Sequence, residues 1–320
     1  MKGSVLKKFL CTCLVTAAAF AATTISASAC TTIYVGGDLV EEGTPFVART
    51  EDYGSDYNKL WFISESGKWK QGDHYVGCPE YGPFEWDFTH DSYRFTYFTN
   101  DIYYDGICPE CGEKADHYSY TEFGTNEKGV SVSATETLYG NEKVTEADPY
   151  RDAEWAEANK SERIGIEETD IPTIILAEAS SAREGVKLLL DIYENYGCVA
   201  ASGVFVCDKD EAWYVENCSG TQYVAIKLND NMIFLEPNMA VIGRVDLDDE
   251  NVIASKDLIA VAKKAGTFVG DEAKNIIDFR ASYARISEKM DQRMIDGLNY
   301  LNATYKYDSD TLVADNTKFT

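Results

Sequence analysis

Short runs of β-forming residues separated by polar turns begin the main part of the chain. The first run covers residues 30–35 and opens with Cys30, a turn follows at Gly36-Gly37-Asp38, and the pattern resumes at residues 44–49. This arrangement predicts a hairpin with Cys30 at the start of its first strand. Residues 52–120 are rich in aromatic residues, Gly and Asp but lack helical periodicity. We expect irregular, β-rich structure there.

The middle of the chain combines one alternating segment with two helical ones. Apolar and polar residues alternate over residues 129–135, which predicts a strand. Pro172 follows a polar pair and favours a helix start, while Ser181 and Glu184 have the spacing of a capping box. Two consecutive helices are therefore predicted, and the second ends at Gly197.

Strand patterns and then helical patterns fill the remainder. Four β-rich runs, at residues 200–207, 212–216, 223–228 and 232–235, predict an antiparallel meander. Helical periodicity returns over residues 255–265 and 276–301. Strands and helices grouped in blocks indicate an α+β fold with antiparallel sheets.

The first 29 residues have the pattern of a secretory signal peptide. A basic start is followed by an apolar stretch over residues 9–22, and Ala27-Ser28-Ala29 is typical of a signal-peptidase site. Cleavage there would make Cys30 the first residue of a secreted or otherwise extracytoplasmic protein. A lipid anchor on Cys30 at the cell surface is the alternative, although lipoprotein processing normally requires Leu where this chain has Ala27. No repeat or linker divides residues 30–320, so we expect a single domain.

Composition and charge exclude several classes of binding partner. The 320 residues are 45% hydrophobic and 26% charged, which is typical of a globular protein. The formal net charge of −25 argues against binding to nucleic acid or anionic lipid. The apolar run at the N-terminus is the only long one, so no transmembrane span is expected after signal removal.

The cysteines suggest a reactive thiol. Of nine, two belong to the predicted signal, and the seven that remain are an odd number in an exported protein. One free cysteine beside up to three disulfides is therefore expected. If Cys30 is residue one, its own α-amino group, whose pKa is near about 8, can act as its general base.

Two residues beyond the predicted hairpin turn fit this chemistry. Arg49 and Asp52 lie at the exit of the second strand, and hairpin pairing could return them to Cys30. A guanidinium favours a thiolate, and a carboxylate could orient the amine. A surface salt bridge is the alternative interpretation of the Arg-x-x-Asp pattern.

Five sequence blocks together resemble one family. They are Cys-Thr-Thr-Ile-Tyr-Val-Gly at 30–36, Val-Ala-Arg-Thr-Glu-Asp at 47–52, Asn-Glu-Lys-Gly-Val-Ser-Val-Ser-Ala-Thr-Glu-Thr at 126–137, Ala-Trp-Tyr-Val-Glu at 212–216, and Pro-Asn at 237–238 followed by Asp-Leu-Asp-Asp at 246–249. In this order they resemble the cysteine dipeptidases, dipeptidase A type, of the N-terminal-nucleophile (Ntn) hydrolase superfamily. Bile salt hydrolases and penicillin V acylase are related enzymes.

The resemblance implies a four-layer αββα sandwich with two antiparallel sheets and a dipeptide or small amide substrate, with no cofactor. It implies Cys30 as nucleophile, Arg49 and Asp52 beside it, and Asn238 in the oxyanion hole. The strand at 134–137 matches another oxyanion-side segment, but Glu136 or Thr137 stands where acylases often have Asn. An arginine from the C-terminal helical region often completes such sites, and Arg280, Arg285 and Arg293 are candidates, with Arg293 preferred.

Two alternatives to a dipeptidase stay open. One is a non-peptide amidase of the same superfamily, of the bile-salt or penicillin V type, and the other is a non-catalytic, lipid-anchored binding module. Family members commonly extend beyond this length, which suggests a short variant or a truncated C-terminus. A homo-oligomer is also compatible with the sequence.

A Cys/His-rich window at residues 74–117 is not a recognised family feature. It holds all three histidines together with Cys78, Cys108 and Cys111. These three cysteines with His117 are weak candidates for a structural zinc site. In an exported protein disulfides are the simpler interpretation. Either way the window would hold a loop in place and take no part in hydrolysis.

The other three cysteines lie on or near the predicted meander strands. We expect Cys198, Cys207 and Cys218 to be buried or to form one disulfide.

Overall fold

The computed structural model describes residues 30–41, 43–51, 59–77, 84–100, 121–135, 138–285 and 292–300. In chain order, its strands are β1 (Thr31–Val35), β2 (Phe46–Thr50), β3 (Lys59–Ser64), β4 (His74–Val76), β5 (Glu85–Asp87), β6 (Phe95–Asn100), β7 (Phe123–Asn126), β8 (Ser131–Thr135), β9 (Ser202–Cys207), β10 (Ala212–Asn217), β11 (Tyr223–Leu228), β12 (Ile233–Glu236), β13 (Arg244–Asp246), β14 (Val252–Ala254), β15 (Gly270–Asp271) and β16 (Ile276–Asp278). Its α-helices are α1 (Glu142–Ala147), α2 (Ala153–Asn159), α3 (Ile171–Glu178), α4 (Ala182–Asn195), α5 (Leu258–Ala265), α6 (Phe279–Tyr283) and α7 (Gln292–Tyr300).

An eight-stranded antiparallel sheet is the largest unit, in the order β14-β11-β10-β9-β8-β7-β6-β3. It contains the predicted strand at 129–135 as β8 and the predicted meander as β9, β10 and β11. The residues between 59 and 100 supply four strands, as the aromatic, non-helical pattern predicted. Smaller sheets have the orders β12-β1-β2, β13-β16-β15 and β4-β5.

The fourth run of the predicted meander does not belong to the large sheet. Instead β12 pairs antiparallel with β1, with Ile33 opposite Leu235. The meander prediction is wrong for this strand because alternation shows that a strand is half-buried but not which sheet it joins. The predicted hairpin is correct, since β1 and β2 pair antiparallel.

The eight-stranded sheet and the small sheet β12-β1-β2, which we call the two main sheets, pack face to face. Alternate residues of β9 and β10 point to opposite sides, so Phe205 and Tyr214 face β12 while Val206 and Trp213 face the helices. The ring of Phe234 lies 5.7 Å from that of Phe205 and 4.7 Å from that of Tyr214. Every residue of β10 is buried because the sheet is covered on both faces here.

Helices α3 and α4 cover the other face of the large sheet. The Ser181 hydroxyl caps α4 by accepting a hydrogen bond from the Glu184 amide at 3.2 Å. The Glu184 carboxylate does not complete the capping box, because it accepts from Ser180 instead. Gly197 follows α4 with a φ of +77°, a conformation that glycine adopts without strain. The prediction of two consecutive helices is confirmed.

The C-terminal part departs from its prediction. The helical periodicity over 255–265 corresponds to α5, but residues 276–301 begin as strand β16 before α6 and α7. Ile276 and Ile277 are β-branched and pair with β13 and β15, which overrides the apolar spacing. Helix α7 packs on β12, and a Cβ at Gly297 would lie 2.6 Å from the Leu235 side chain. Among the residues that the structure describes, no helix combines the length and apolar character needed to cross a membrane.

Leu189 tests the helix-to-sheet interface. Its side chain is fully buried against the large sheet, so Leu189→Ala removes apolar contacts and leaves a cavity. We expect the free energy of unfolding to fall by about 2–5 kcal/mol in urea denaturation. Lys187→Ala on the exposed side of the same helix is the control and should change it by less than about 0.5 kcal/mol. Equal effects of both substitutions would contradict this packing.

Candidate active site

Cys30 lies immediately before β1, at the point where three strands meet. Its residue is 4% exposed. Thr32 is opposite Arg49 on β2 and opposite Glu236 on β12. Continuing both antiparallel registers past the end of β1 brings Glu51 and Asn238 level with Cys30. The topology therefore gathers residues from distant parts of the sequence around one thiol.

Arg49 contacts that thiol directly. Its Nη2 lies 3.6 Å from the Cys30 Sγ. Its Nη1 donates hydrogen bonds to the carbonyl oxygens of Ala134 at 2.5 Å and Glu122 at 2.9 Å. The side chain is only 7% exposed, so these acceptors hold the guanidinium in one orientation. A cation at this distance favours the thiolate form of a cysteine.

Carboxylates balance the buried guanidinium. Glu51 and Glu168 each approach the Arg49 Nη2 to 3.8 Å. Burial alone would lower the pKa of Arg49, but the negative groups of Glu168, Cys30 and Glu51 outweigh burial and raise it. The arginine is therefore positively charged at neutral pH.

Glu51 and Glu122 form a carboxyl pair that Lys59 bridges. Lys59 Nζ donates to both carboxyl groups, at 2.7 Å to Glu122. Burial, together with the hydrogen bond and negative charge of Glu51, raises the pKa of Glu122 to about 8. Burial also acts on Glu51, but hydrogen bonds from Glu122 and Lys59 and the charge of Arg49 lower its pKa. The opposite directions of the two pKa shifts indicate that the pair shares a proton, with Glu122 as its preferred site.

A cavity of about 430 Å³ opens beside these groups. Its polar lining comes from Arg49, Glu51, Lys59 and Glu122, and its apolar lining comes from Val47, Ala48, Phe98 and Phe123. A small molecule with both charged and apolar parts fits such a space. A larger cleft of about 890 Å³, next to the C-terminal end of α4, contains none of the predicted site residues.

Asn238 lies in the segment that follows β12, which we call the Asn238 segment (residues 237–242). Asn238 has a φ of +50°, an uncommon conformation for a residue other than glycine. Its Oδ1 is buried and has no hydrogen-bond partner among the described residues. The turn-capping role that is common for Asn is thus not seen for this oxygen.

Arg293 joins the Asn238 segment to the start of β1. From α7, its Nη1 donates to the Cys30 carbonyl oxygen and to the Thr31 Oγ1, each at 3.0 Å, and its Nη2 donates to the Pro237 carbonyl oxygen at 3.3 Å. Of the three candidate arginines, Arg293 is the one with these contacts. Arg280 is buried on α6, and Arg285 stacks on the ring of Tyr139.

Several predicted residues lie outside the described parts of the chain. These are Asp52, Cys78, Cys108, Cys111 and His117, together with Glu136 and Thr137. Of the other histidines, His74 contacts Asp87, and His90 lies between two backbone carbonyl oxygens. Within the described ranges, no group of three His, Cys, Asp or Glu residues could hold a metal ion. Cys207 and Cys218 are free thiols there, Cys218 buried and Cys207 partly buried.

Sequence reasoning missed the acidic and basic groups around Arg49. Glu51 lies inside the block at 47–52, but the Arg-x-x-Asp pattern indicates only Arg49 and Asp52. None of the five sequence blocks includes Lys59, Glu122 or Glu168. The fold brings them to the site: Lys59 from β3, Glu122 from just before β7, and Glu168 from the turn before α3.

Comparison with known proteins decides the family. The profile of Peptidase family C69 matches residues 29–303. The chain belongs to peptidase family C69. It is 33% identical over 247 residues to "Probable dipeptidase B" of Streptococcus pyogenes serotype M6. The match covers 77% of this chain and 44% of that protein. It is 32% identical over 262 residues to "Probable dipeptidase" of Salmonella dublin, covering 80% and 53%. The C69 chain thus spans about half the length of these curated relatives.

Solved structures have lower sequence identity to this chain than the curated relatives have. A penicillin V acylase from Agrobacterium tumefaciens matches with a TM-score of 0.37 and 15% identity, over 65% of this chain and 49% of that one. A mutant conjugated bile acid hydrolase from Clostridium perfringens matches with a TM-score of 0.29 and 13% identity, over 76% and 59%. The C69 assignment rests on the sequence matches.

Glu122 makes the stability of the site depend on pH. Its folded pKa of about 8 lies above the ordinary value of 4.5, so between these values the folded protein holds a proton that the unfolded chain releases. Stability therefore falls as pH rises through this window, at up to about 1.4 kcal/mol per unit. The pKa of Glu51 is lowered in the folded protein, so Glu51 makes stability depend on pH only below its ordinary pKa of 4.5.

We expect Glu122→Gln to reduce this slope, because the amide cannot ionise. The measurement is the free energy of unfolding in urea between pH 5.5 and 7.5. Glu142→Gln, an exposed site on α1, should keep the wild-type slope. An unchanged slope in Glu122→Gln would mean that Glu122 is ionised in the folded protein at neutral pH.

Proposed function

We propose that this protein is an exported cysteine dipeptidase that uses Cys30 as its nucleophile. The contact between Arg49 and the Cys30 sulfur is the observation that carries the proposal. A fully surrounded guanidinium next to a thiol favours the thiolate, which is the nucleophilic form. The names of the C69 relatives support a peptide substrate.

The α-amino group of Cys30 is proposed as the base, after cleavage behind Ala29. It takes the thiol proton as the sulfur bonds to the carbonyl carbon of the scissile amide. The resulting oxyanion is stabilised by the Asn238 side chain and backbone N–H groups. The ammonium then returns the proton to the leaving amine and a thioester remains. Water then attacks the thioester while its proton passes to the amine. The C–S bond breaks to release the carboxylic acid, and the ammonium returns the proton to the sulfur.

Arg293 supports this arrangement. By donating to the Cys30 carbonyl oxygen it fixes the main chain of the nucleophilic residue, and with it the amine. We further propose the αββα sandwich of Ntn hydrolases for the complete fold. The face-to-face sheets, the helices on the large sheet and the contact of α7 with β12 agree with such an arrangement.

The charges at the site favour a substrate with a free α-ammonium group. Glu51 and Glu168 lie one guanidinium away from the sulfur, and Glu51 also lines the adjoining cavity. In a dipeptide the α-ammonium is attached one carbon from the scissile carbonyl, so it would enter this acidic surrounding. An N-acylated substrate has an uncharged group at the same place.

A substrate panel tests this proposal. A free dipeptide such as Leu-Leu should be hydrolysed, and its N-acetyl derivative should lose roughly ten- to hundredfold in kcat/KM, since a hydrogen bond to a charged group contributes about 1.5–3 kcal/mol. Cys30→Ala should lower kcat at least about a thousandfold. Reaction rates are followed by quantifying the released amino acid.

Two outcomes would contradict the proposal. Full activity of Cys30→Ala would remove the nucleophile. Faster hydrolysis of penicillin V or a glycine-conjugated bile salt than of any dipeptide would favour a non-peptide acylase. Lys187→Ala, far from the site on α4, should keep the wild-type rates throughout.

A further inference from the structure

Glu216 is a buried carboxyl group to which the proposed chemistry gives no role. It belongs to the block at 212–216 and lies on β10, fully buried between the two main sheets. A carboxyl group is rarely enclosed in this way unless its oxygens are used. Its contacts therefore indicate what it does.

Both oxygens of Glu216 accept hydrogen bonds from one loop. The Oε1 accepts from the Val241 amide at 2.6 Å, and the Oε2 accepts from the Ile242 amide at 3.2 Å. These amides are the C-terminal end of the Asn238 segment. A pair of bonds to consecutive amides fixes both the position and the direction of the backbone.

The other end of the segment is also held. Arg293 donates to the Pro237 carbonyl oxygen, just before Asn238. Between these two attachments Asn238 has its φ of +50°. A residue other than glycine keeps such a conformation only when its surroundings impose it. Glu216 and Arg293 are the side chains that supply this constraint from opposite ends.

We propose that Glu216 is a positioning residue: by holding the Val241 and Ile242 amides it aims the Asn238 side chain at the oxyanion formed on Cys30 attack. The proposal rests on the proposed function. It assigns Glu216 no contact with the substrate. Its effect should therefore appear in the stabilisation of the oxyanion and leave the reactivity of the Cys30 thiol unchanged.

The surroundings of Glu216 explain why an amide cannot replace it. Two backbone N–H donors face the Glu216 carboxyl, one at each oxygen, and their hydrogen bonds oppose the rise in pKa that burial causes. Burial and the charges of Glu216 and Glu236 raise the pKa of the neighbouring Tyr214. In Glu216→Gln the side-chain volume is kept, but the NH₂ group would face one of the two backbone N–H donors. One end of the loop would lose its acceptor.

Three measurements on Glu216→Gln test the proposal. We expect kcat for a dipeptide to fall about tenfold or more with little change in KM, since loss of an oxyanion donor costs roughly 10²–10³ in kcat and the donor here is displaced, not removed. Inhibition by an amino aldehyde such as leucinal, whose carbonyl takes the place of the scissile one and adds the Cys30 thiol to give a hemithioacetal oxyanion, should weaken by a similar factor. Inhibition by the matching alcohol and the rate of Cys30 labelling by iodoacetamide should stay at wild-type values.

Glu178→Gln is the matched control. Its carboxylate has a side-chain exposure of 5% and accepts a backbone N–H from Thr89, but beside α3 and not beside the Asn238 segment. It should leave kcat and aldehyde inhibition unchanged. If Glu216→Gln does not fold, Glu216→Asp, which keeps both oxygens on a shorter side chain, is measured in the same way.

The outcomes separate this inference from the proposed function. An active wild type with unchanged aldehyde inhibition in the folded Glu216 variant overturns the positioning role. Parallel loss of aldehyde inhibition and Cys30 labelling also overturns it, because the damage would then include the nucleophile. A wild type that labels at Cys30 but hydrolyses no dipeptide overturns the proposed function instead.

Discussion

The buried guanidinium of Arg49 is the interaction on which this site depends. A charged group is costly to enclose unless acceptors and counter-charges surround it. Arg49 finds backbone acceptors on β8 of the large sheet, carboxylates in Glu51 and Glu168, and the Cys30 sulfur at 3.6 Å. Because it starts from β2, it also joins the small sheet to the large one. The contacts that neutralise and hold the arginine therefore also fix the position of Cys30, the proposed nucleophile.

The topology of the small sheet explains how one arginine can organise so much of the chain. With β1 in the middle, β2 brings Arg49 to one side of Cys30 and β12 brings Asn238 to the other. Arg293 from α7 ties the end of β12 to the start of β1. Substitutions within this frame should thus alter rates through geometry even where the side chain never meets a substrate.

Local patterns predicted the parts of the fold that depend on neighbouring residues. The hairpin after Cys30, the two consecutive helices and three strands of the meander follow from alternation, caps and turns. The place of β12 did not follow, because a half-buried strand has the same pattern in either sheet. Cys30 and Arg49 were predicted from the signal-peptide pattern and the hairpin as well as from motif resemblance, whereas Asn238 and Arg293 were predicted from the resemblance alone. Glu122 and Glu168 were not predicted, because they belong to no motif and only the tertiary structure brings them to Arg49.

The identity of the first residue of the exported protein is the most direct test of this account. Expression of the full chain with residues 1–29, followed by N-terminal sequencing and intact mass with and without an iodoacetamide-type probe, measures it. The account predicts that the mature protein starts with a free Cys30 and that the probe adds to this residue. An acylated Cys30, or an N-terminus elsewhere, would remove the proposed base and contradict the mechanism.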